Sequence, residues 1–338
     1  MTGRATFRHL FAAATFIGLV VYWTQAGYFG HEILAEIAVF AILAMSLDLI
    51  AGYAGLVSLG HAALFGTGAY LFAFFSVVLG WPVGLSMVAA TAATGVIACV
   101  VGAVVTRVHG IFFIMITLAI GEMGHEFFFK NRTLGGDDGF AGIERLDLTW
   151  IGLDLNTPAT FSMTLIVVAL AIYLALNRLI ASPFGAVLHG LHDNTTRMRA
   201  LGLPVRRYQT SAFALSGTIA AFAGTLTAQH TMFISPKLLH WTLSGEVLVM
   251  VILGGLGTLA GPVVGAAALV FLRHELSDMT QYWGFWLGLF LVLIVMGGRN
   301  GIIGWAEWAW RKLPGGDRRA PAGEGPQGEG REAADAAR

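Results

Sequence analysis

The sequence predicts an all-α fold, a polytopic transmembrane helical bundle of about 10 spans (8–10), with helices broken at glycine-rich stretches. Three observations carry this expectation. Hydrophobic residues make up 56% of the 338-residue chain and charged residues only 12%, where a soluble domain carries roughly 25% charged residues; the mean hydropathy is +0.73. No Asp, Glu, Lys or Arg occurs from Leu49 to Thr106, and further charge-free runs cover Leu10–Gly30, Tyr208–Pro236, Val247–Leu272 and Met279–Gly298. These runs are continuous rather than alternating, which favours helices over the strands of a membrane barrel. In lipid, only these two structures satisfy their own backbone hydrogen bonds. The same arithmetic excludes an ordinary water-soluble enzyme. It leaves no net field to attract nucleic acid, since 20 basic residues balance 20 acidic ones. A single cysteine, Cys99, excludes an internal disulfide and Cys-based metal sites. Its apolar surroundings in the sequence read as those of a small buried hydrophobe.

The spans are expected at 10–29, 33–51, 56–77, 83–106, 110–129, 160–178, 209–230, 244–256, 260–273 and 282–298. The eighth and ninth are short and fit either one kinked helix or a re-entrant pair. Cytoplasmic loops are enriched in Lys and Arg. Arg4 and Arg8, Arg107, the loop 179–208 with Arg178, Arg197, Arg199, Arg206 and Arg207, and the end with Arg299, Arg311, Arg318 and Arg319 therefore read as cytoplasmic. The loop 131–159 holds Asp137, Asp138, Glu144, Asp147 and Asp154 and reads as external. Residues 1–9 are expected as a cytoplasmic N-terminus, 10–304 as the membrane domain and 305–338 as a cytoplasmic tail. From about Pro314 the tail's Gly, Pro and charged composition predicts disorder.

No Walker loop, His-Glu-x-x-His or Gly-x-Ser-x-Gly is present, so neither ATP binding by that loop nor a standard hydrolase is expected. Two glycine-rich stretches stand out. The first runs from Gly52 through Gly55, Ser58, Gly60 and His61 to Gly68; the second runs from Gly254, Gly255, Gly257 and Thr258 through Gly261 and Pro262 to Gly265. Small residues permit close helix packing, and broken helices are tolerated where they line a cavity. Both readings stay open here, with Ser58, His61 and Thr258 as polar lining in the second. A charge in the membrane usually has a partner or a task. Glu36, Asp48, Glu122, Glu126 and Glu246 lie in or at the ends of spans. Asp48 fits a helix-end carboxylate reaching the interface as well as a path residue, and Glu122 fits an internal hydrogen bond equally well. In the loop 181–208, Val187, Leu188, Leu191 and Thr195 recur at helical spacing, and Gly202 with Pro204 suits a helix end. A short amphipathic helix there either lies on the lipid or receives force from a soluble partner.

Taken together these stretches resemble the branched-chain amino-acid permeases of ABC importers, and more closely their LivM-type subunit. Gly55-Leu-Val-Ser58-Leu-Gly60-His61-Ala-Ala63 is similar to that family's Gly-x-x-Ser-Leu-Gly-His-Ala signature. Gly110-Ile-Phe112 with Thr117-Leu-Ala119-x-x-Glu122 resembles the segment that follows. Leu134-Gly135-Gly136-Asp137-Asp138-Gly139 resembles its Thr-Gly-Gly-Ser-Asp-Gly loop. Ser182-Pro-Phe-Gly185 and Ala200-Leu-Gly202 resemble the ends of its coupling loop. Gly254-Gly255-Leu-Gly257-Thr258-x-x-Gly261-Pro262 and Arg299-Asn-Gly301-Ile-Ile-Gly304 resemble its later motifs. The chain departs at Leu134 and Asp137. It also departs in the coupling segment, where His189, His192, Thr195 and Thr196 stand where the family is rich in Arg and Glu.

The resemblance implies a permease subunit in a bacterial inner membrane, with both termini cytoplasmic. It implies a second, LivH-type permease subunit, two ATP-binding subunits that hold ATP and Mg, and a periplasmic substrate-binding protein. No cofactor or metal is expected on this chain. The solute would be a branched-chain amino acid or a related small polar molecule such as urea, an amide or an aromatic acid. Asp48, Ser58, His61, Glu122, Glu246 and Thr258 are the expected path residues. Gly55, Gly60, Gly254, Gly255, Gly257, Gly261 and Pro262 are the expected helix breaks. Gly185, Asp193, Asn194, Arg197, Arg199 and Gly202 are assigned to ATPase coupling, and Gly135, Gly136, Asp138 and Gly139 to the external loop. The alternative is an ion-coupled secondary transporter working through Asp48, Glu122 or Glu246.

Overall fold

The computed structural model describes residues 2–279 and 301–304, with residues 281–282, 284–286, 288–289 and 292 between them; at residues 2–9, 151 and 278 it describes the backbone alone. Most of the tenth expected span, Arg299 and the tail from Pro314 lie outside the described residues. The chain forms α1 (Thr2–Gln25), α2 (Tyr28–Ala51), α3 (His61–Ala73, continued by one π turn to Val78), α4 (Val83–Val105) and α5 (Ile111–Lys130). After the loop 131–157 come α6 (Pro158–Ile180), α7 (Pro183–Asp193), α8 (Thr195–Ala200), α9 (Val205–Thr231), α10 (Trp241–Gly254) and α11 (Ala260–Met279). Among the described residues, six helices are long and apolar enough to cross a membrane, and the apolar parts of α1 and α10 are shorter. The eighth and ninth expected spans are two separate helices, α10 and α11, rather than one kinked helix.

The middle of the bundle is α2. It is apolar on every side, as a helix surrounded by other helices must be, and it is buried from Leu34 to Ala51 apart from Glu36 and Phe40. It packs against α6, α9, α10 and α11. The tightest packing joins α3, α4 and α9, and small residues account for it. On α4 the stripe Ala90, Thr94, Ala98 and Gly102 is buried. A methyl added to Gly102 would press on Phe213, and one added to Gly217 would press on Ala98 and Leu64. Gly68 of α3 lies against the backbone of Ala221. Cys99 corrects the expectation of burial: it is exposed, because α4 turns its small-residue face inward and Val96, Cys99, Val100 and Val104 outward.

One feature falls outside the all-α expectation. Two short antiparallel strands, β1 (Phe140–Ala141) and β2 (Phe233–Ile234), pair Phe140 with Ile234 and Ala141 with Phe233. They fasten the loop 131–157 to the connection between α9 and α10. Gly139 is required there, since it has φ +76° and a side chain would run into the Ile234 carbonyl.

Candidate functional site

The two glycine stretches meet inside the bundle. The chain leaves the helix between Ala51 and His61 and again between Gly254 and Ala260. Where a side chain on Gly52 would sit, it finds the backbone of Gly257. Asp48 fastens the two together: its Oδ1 accepts from Gly257 N at 2.7 Å and its Oδ2 from Leu259 N at 3.1 Å. Gly255 and Gly257 have φ +119° and +71°, and Leu259 has φ +53°, a region that costs a branched L-residue energy. The carboxylate therefore holds a strained linker. Asp48 is fully buried, so it does not reach the interface as a helix-end carboxylate would. Thr258 serves the same linker. Its hydroxyl donates to the Gly255 carbonyl at 2.7 Å and accepts from Gly261 N at 3.0 Å. Gly254 and Gly261 are in backbone contact, and Pro262 stands in the first turn of α11, where a missing N–H costs nothing. Gly301 lies against the backbone of Leu253 and Gly255, which brings the last motif onto this linker.

The first linker ends in a polar group. His61 opens α3 and is buried; its Nε2 lies 2.8 Å from Ser46 Oγ and 3.4 Å from Ser216 Oγ. Ser216 Oγ also donates to the Ser46 carbonyl. An α-helix that begins inside a membrane has orphan N–H groups; a serine satisfies one in the first turn of α3, and side chains also serve the two N–H groups just before it. Ala62 N donates to Ser244 Oγ at 2.8 Å, Gly60 N to Ser58 Oγ at 3.3 Å and Leu59 N to Thr117 Oγ1 at 3.3 Å. Gly60 admits the Thr117 carbonyl where a side chain would block it. Of these buried partners Thr117 belongs to a motif quoted from the sequence, while Ser46, Ser216 and Ser244 drew no attention there. Single Ser and Thr residues in apolar helices are common, and only their convergence marks them.

Glu122 and Glu246 lie apart from this group. Glu122 Oε1 accepts from Trp241 N at 3.2 Å, at the start of α10. Glu246 belongs to an ion cluster that joins α2, α10 and α11. Arg273 Nη1 donates to Glu246 Oε1 at 2.8 Å, its Nη2 pairs with Glu36 Oε1, and His274 Nε2 lies 2.8 Å from Glu36 Oε2. Arg273 also lies over the Phe40 ring, 5.8 Å from its centroid. Placing it at the end of a span concealed its role. The sequence signal was a lone basic residue between two long apolar runs.

The two loop regions occupy opposite ends of the bundle. In the loop 131–157, Gly135 and Gly136 have φ +85° and +56°, and Asp138 is exposed. Arg145, in sequence only a counter-charge to the loop's carboxylates, anchors this loop to α9. Its Nε donates to the Gln229 carbonyl at 3.1 Å, its Nη1 to the Leu155 carbonyl at 3.1 Å, and the guanidinium stacks on Phe161 at 4.3 Å. Burial pulls its pKa down, and Glu32 opposes that pull.

At the other end α7 and α8 form one bent amphipathic unit. Gly185, Leu188 and Leu191 are buried. Gly185 abuts the Ile180 backbone. Asp193 ends α7, and Asn194 breaks the helix and caps α8, its Oδ1 accepting from Arg197 N at 2.9 Å. Arg197 and Arg199 are exposed on α8, and Gly202, at φ +79°, ends the unit. An exposed edge of α7, carrying His189 and His192, contacts the first glycine linker. The His189 ring lies 5.0 Å from the Tyr53 ring, edge to face, and His192 fills the space beside Gly55, whose φ is +70°. The arrangement is thus continuous: α7 touches the Gly52–Gly60 linker, that linker touches the Gly255–Leu259 linker, and Asp48 holds both.

The model of the family "Branched-chain amino acid transport system / permease component" matches residues 30–296. The chain is 28% identical over 290 residues to the high-affinity branched-chain amino acid transport system permease protein LivM of Escherichia coli (strain K12), covering 78% of this chain and 68% of that protein. It is 27% identical to LivM of Salmonella typhimurium, with the same coverage. A shorter match, 26% over 139 residues, covers 39% of this chain and 42% of the ribose import permease protein RbsC of Haemophilus influenzae. No solved structure matches the chain significantly. The chain belongs to the permease components of branched-chain amino acid transport systems; it is a multi-pass membrane protein and not itself an enzyme.

Proposed function

We propose that this chain is one of two permease subunits of a bacterial inner-membrane ABC importer. In this reading a LivH-type subunit completes the pore, two ATP-binding subunits hold ATP and Mg and dock on α7 and α8, and a periplasmic binding protein delivers the solute. The membrane is crossed about ten times, with both termini and the arginine-rich α7–α8 end in the cytoplasm. The solute is a branched aliphatic amino acid, on the strength of the LivM relatives. The observation that carries the reading is the seating of α7 on the Gly52–Gly60 linker. A helix moved from the cytoplasm would push directly on a segment outside regular helix, tied back to α2 by the bonds from Gly52 N and Tyr53 N to the Asp48 carbonyl and from Leu56 N to the Ile50 carbonyl.

The ion-coupled alternative needs carboxylates free to exchange a proton or bind sodium. Asp48 instead accepts two backbone N–H groups, Glu122 accepts one, and Glu246 is paired with Arg273. The test replaces residues 189–202 by a glycine–serine segment of equal length. Membrane insertion is expected to persist while uptake and retention of the ATPase subunits are lost. Undiminished uptake would contradict the coupling role of this segment.

A further inference from the structure

We propose that the open cleft between the C-terminal end of α4 and the start of α9 binds the phosphate of an anionic phospholipid in the same leaflet. The cleft has a volume of about 950 Å³. Arg107, His109, Arg199, Arg206 and Arg207 all line it, and no Asp or Glu does. Arg206 is held in place, its Nη2 donating to the Ala103 carbonyl at 2.7 Å. Among the described residues, Arg107, Arg199 and Arg207 have no ion-pair partner. Four guanidinium groups gathered without a carboxylate repel one another unless an anion is present, and guanidinium geometry suits phosphate.

A second, independent observation comes from the floor of the cleft. Gln209 is 1% exposed and lines it, and its side-chain Nε2 is buried without a hydrogen-bond partner. A buried donor left unmade is costly, and a phosphate oxygen supplies an acceptor. A third observation selects a lipid over a soluble anion. The outward face of α4 carries Val88, Val96, Val100 and Val104, all exposed and apolar, and this stripe leads to Thr106 and Arg107 at the cleft. An acyl chain lying on the stripe puts its headgroup among the arginines. Basic recesses between membrane helices on the cytoplasmic side bind anionic headgroups in this way. The inference shares with the proposed function the assignment of this end of the bundle to the cytoplasm.

The test uses the full complex, purified with its partner subunits into nanodiscs of equal parts phosphatidylglycerol and phosphatidylcholine, then released and weighed by native mass spectrometry. The expected result is preferential retention of phosphatidylglycerol. Arg107→Gln with Arg207→Gln should lower that retention on the order of tenfold, while Arg178→Gln, an exposed arginine outside the cleft, should leave it unchanged. Equal retention of both lipids by the wild type would overturn the proposal. So would equal loss in the Arg178→Gln control, or thermal stabilisation by inorganic phosphate as large as that by phosphatidylglycerol. Loss of the ATPase subunits from the double variant with lipid retention intact would also overturn it and make the cleft a protein-docking surface. Uptake and subunit recovery report on the importer reading separately, so the two can fail independently.

Discussion

Asp48 shows how far a single residue can depart from its most economical reading in sequence. A carboxylate between two leucines near the end of a span looks like a group on its way to water. In the fold it is buried, and its two oxygens serve two backbone N–H groups of another helix pair. Removing it leaves both donors buried and unmade, at about 1–3 kcal/mol each. Asp48→Ala should therefore lower the stability of the purified protein by roughly 2–6 kcal/mol, read as a drop in the thermal unfolding midpoint. Asp48→Asn, which keeps one acceptor, should fall between. A fully functional, equally stable Asp48→Ala protein would remove the clamp from the account. Arg273 makes the complementary case. Arg273→Met leaves Glu36 and Glu246 without their shared cation, and breaking a partly buried pair from one side should cost about 3 kcal/mol or more. Glu36→Gln and Glu246→Gln in the same chain should recover part of that loss, since no unpaired charge then remains.

At the scale of elements, the glycine stretches were legible as sites of interruption because five glycines in a short apolar segment weaken a helix. What they interrupt for was not legible. Gly52, Gly254 and Gly261 are where two chain segments approach too closely for any side chain, Gly257 faces Gly52 at φ +71°, and these approaches depend on which helices neighbour each other. The helical spacing of Val187, Leu188, Leu191 and Thr195 predicted one short helix; Leu188 and Leu191 do turn inward on α7, Val187 is half-buried, and Thr195 opens α8. The break at Asn194 that separates α8 was missed, although an Asn three residues before a helix-capped N–H is a readable signal. The Tyr53–His189 contact is the element-level link between α7 and the linker. Edge-to-face pairs contribute about 0.5–1.5 kcal/mol. Tyr53→Ala should reduce uptake several-fold while ATP hydrolysis by the assembled complex continues, and adding His189→Ala should reduce it no further. Additive losses from the two substitutions would show that the residues act separately.

For the whole molecule, hydropathy and charge placement were enough to predict a helical membrane bundle, and the order of its motifs was enough to predict its family. The central position of α2, the α3–α4–α9 packing and the pairing of the loop 131–157 with the α9–α10 connection were not readable, because they arise from contacts between residues far apart in the chain. Cys99 makes the same point in one position: apolar neighbours in sequence do not distinguish a side facing other helices from a side facing outward. The central claim, that this bundle is moved by ATP hydrolysed in partner subunits, is tested most directly by reconstitution. The complex, carried on a tag on this chain, would be placed in liposomes with its binding protein and radiolabelled leucine. The account predicts uptake that requires ATP in the compartment facing α7 and α8, requires the binding protein on the opposite side and ignores an imposed proton or sodium gradient. Uptake by this chain alone, driven by such a gradient and indifferent to ATP, would contradict it.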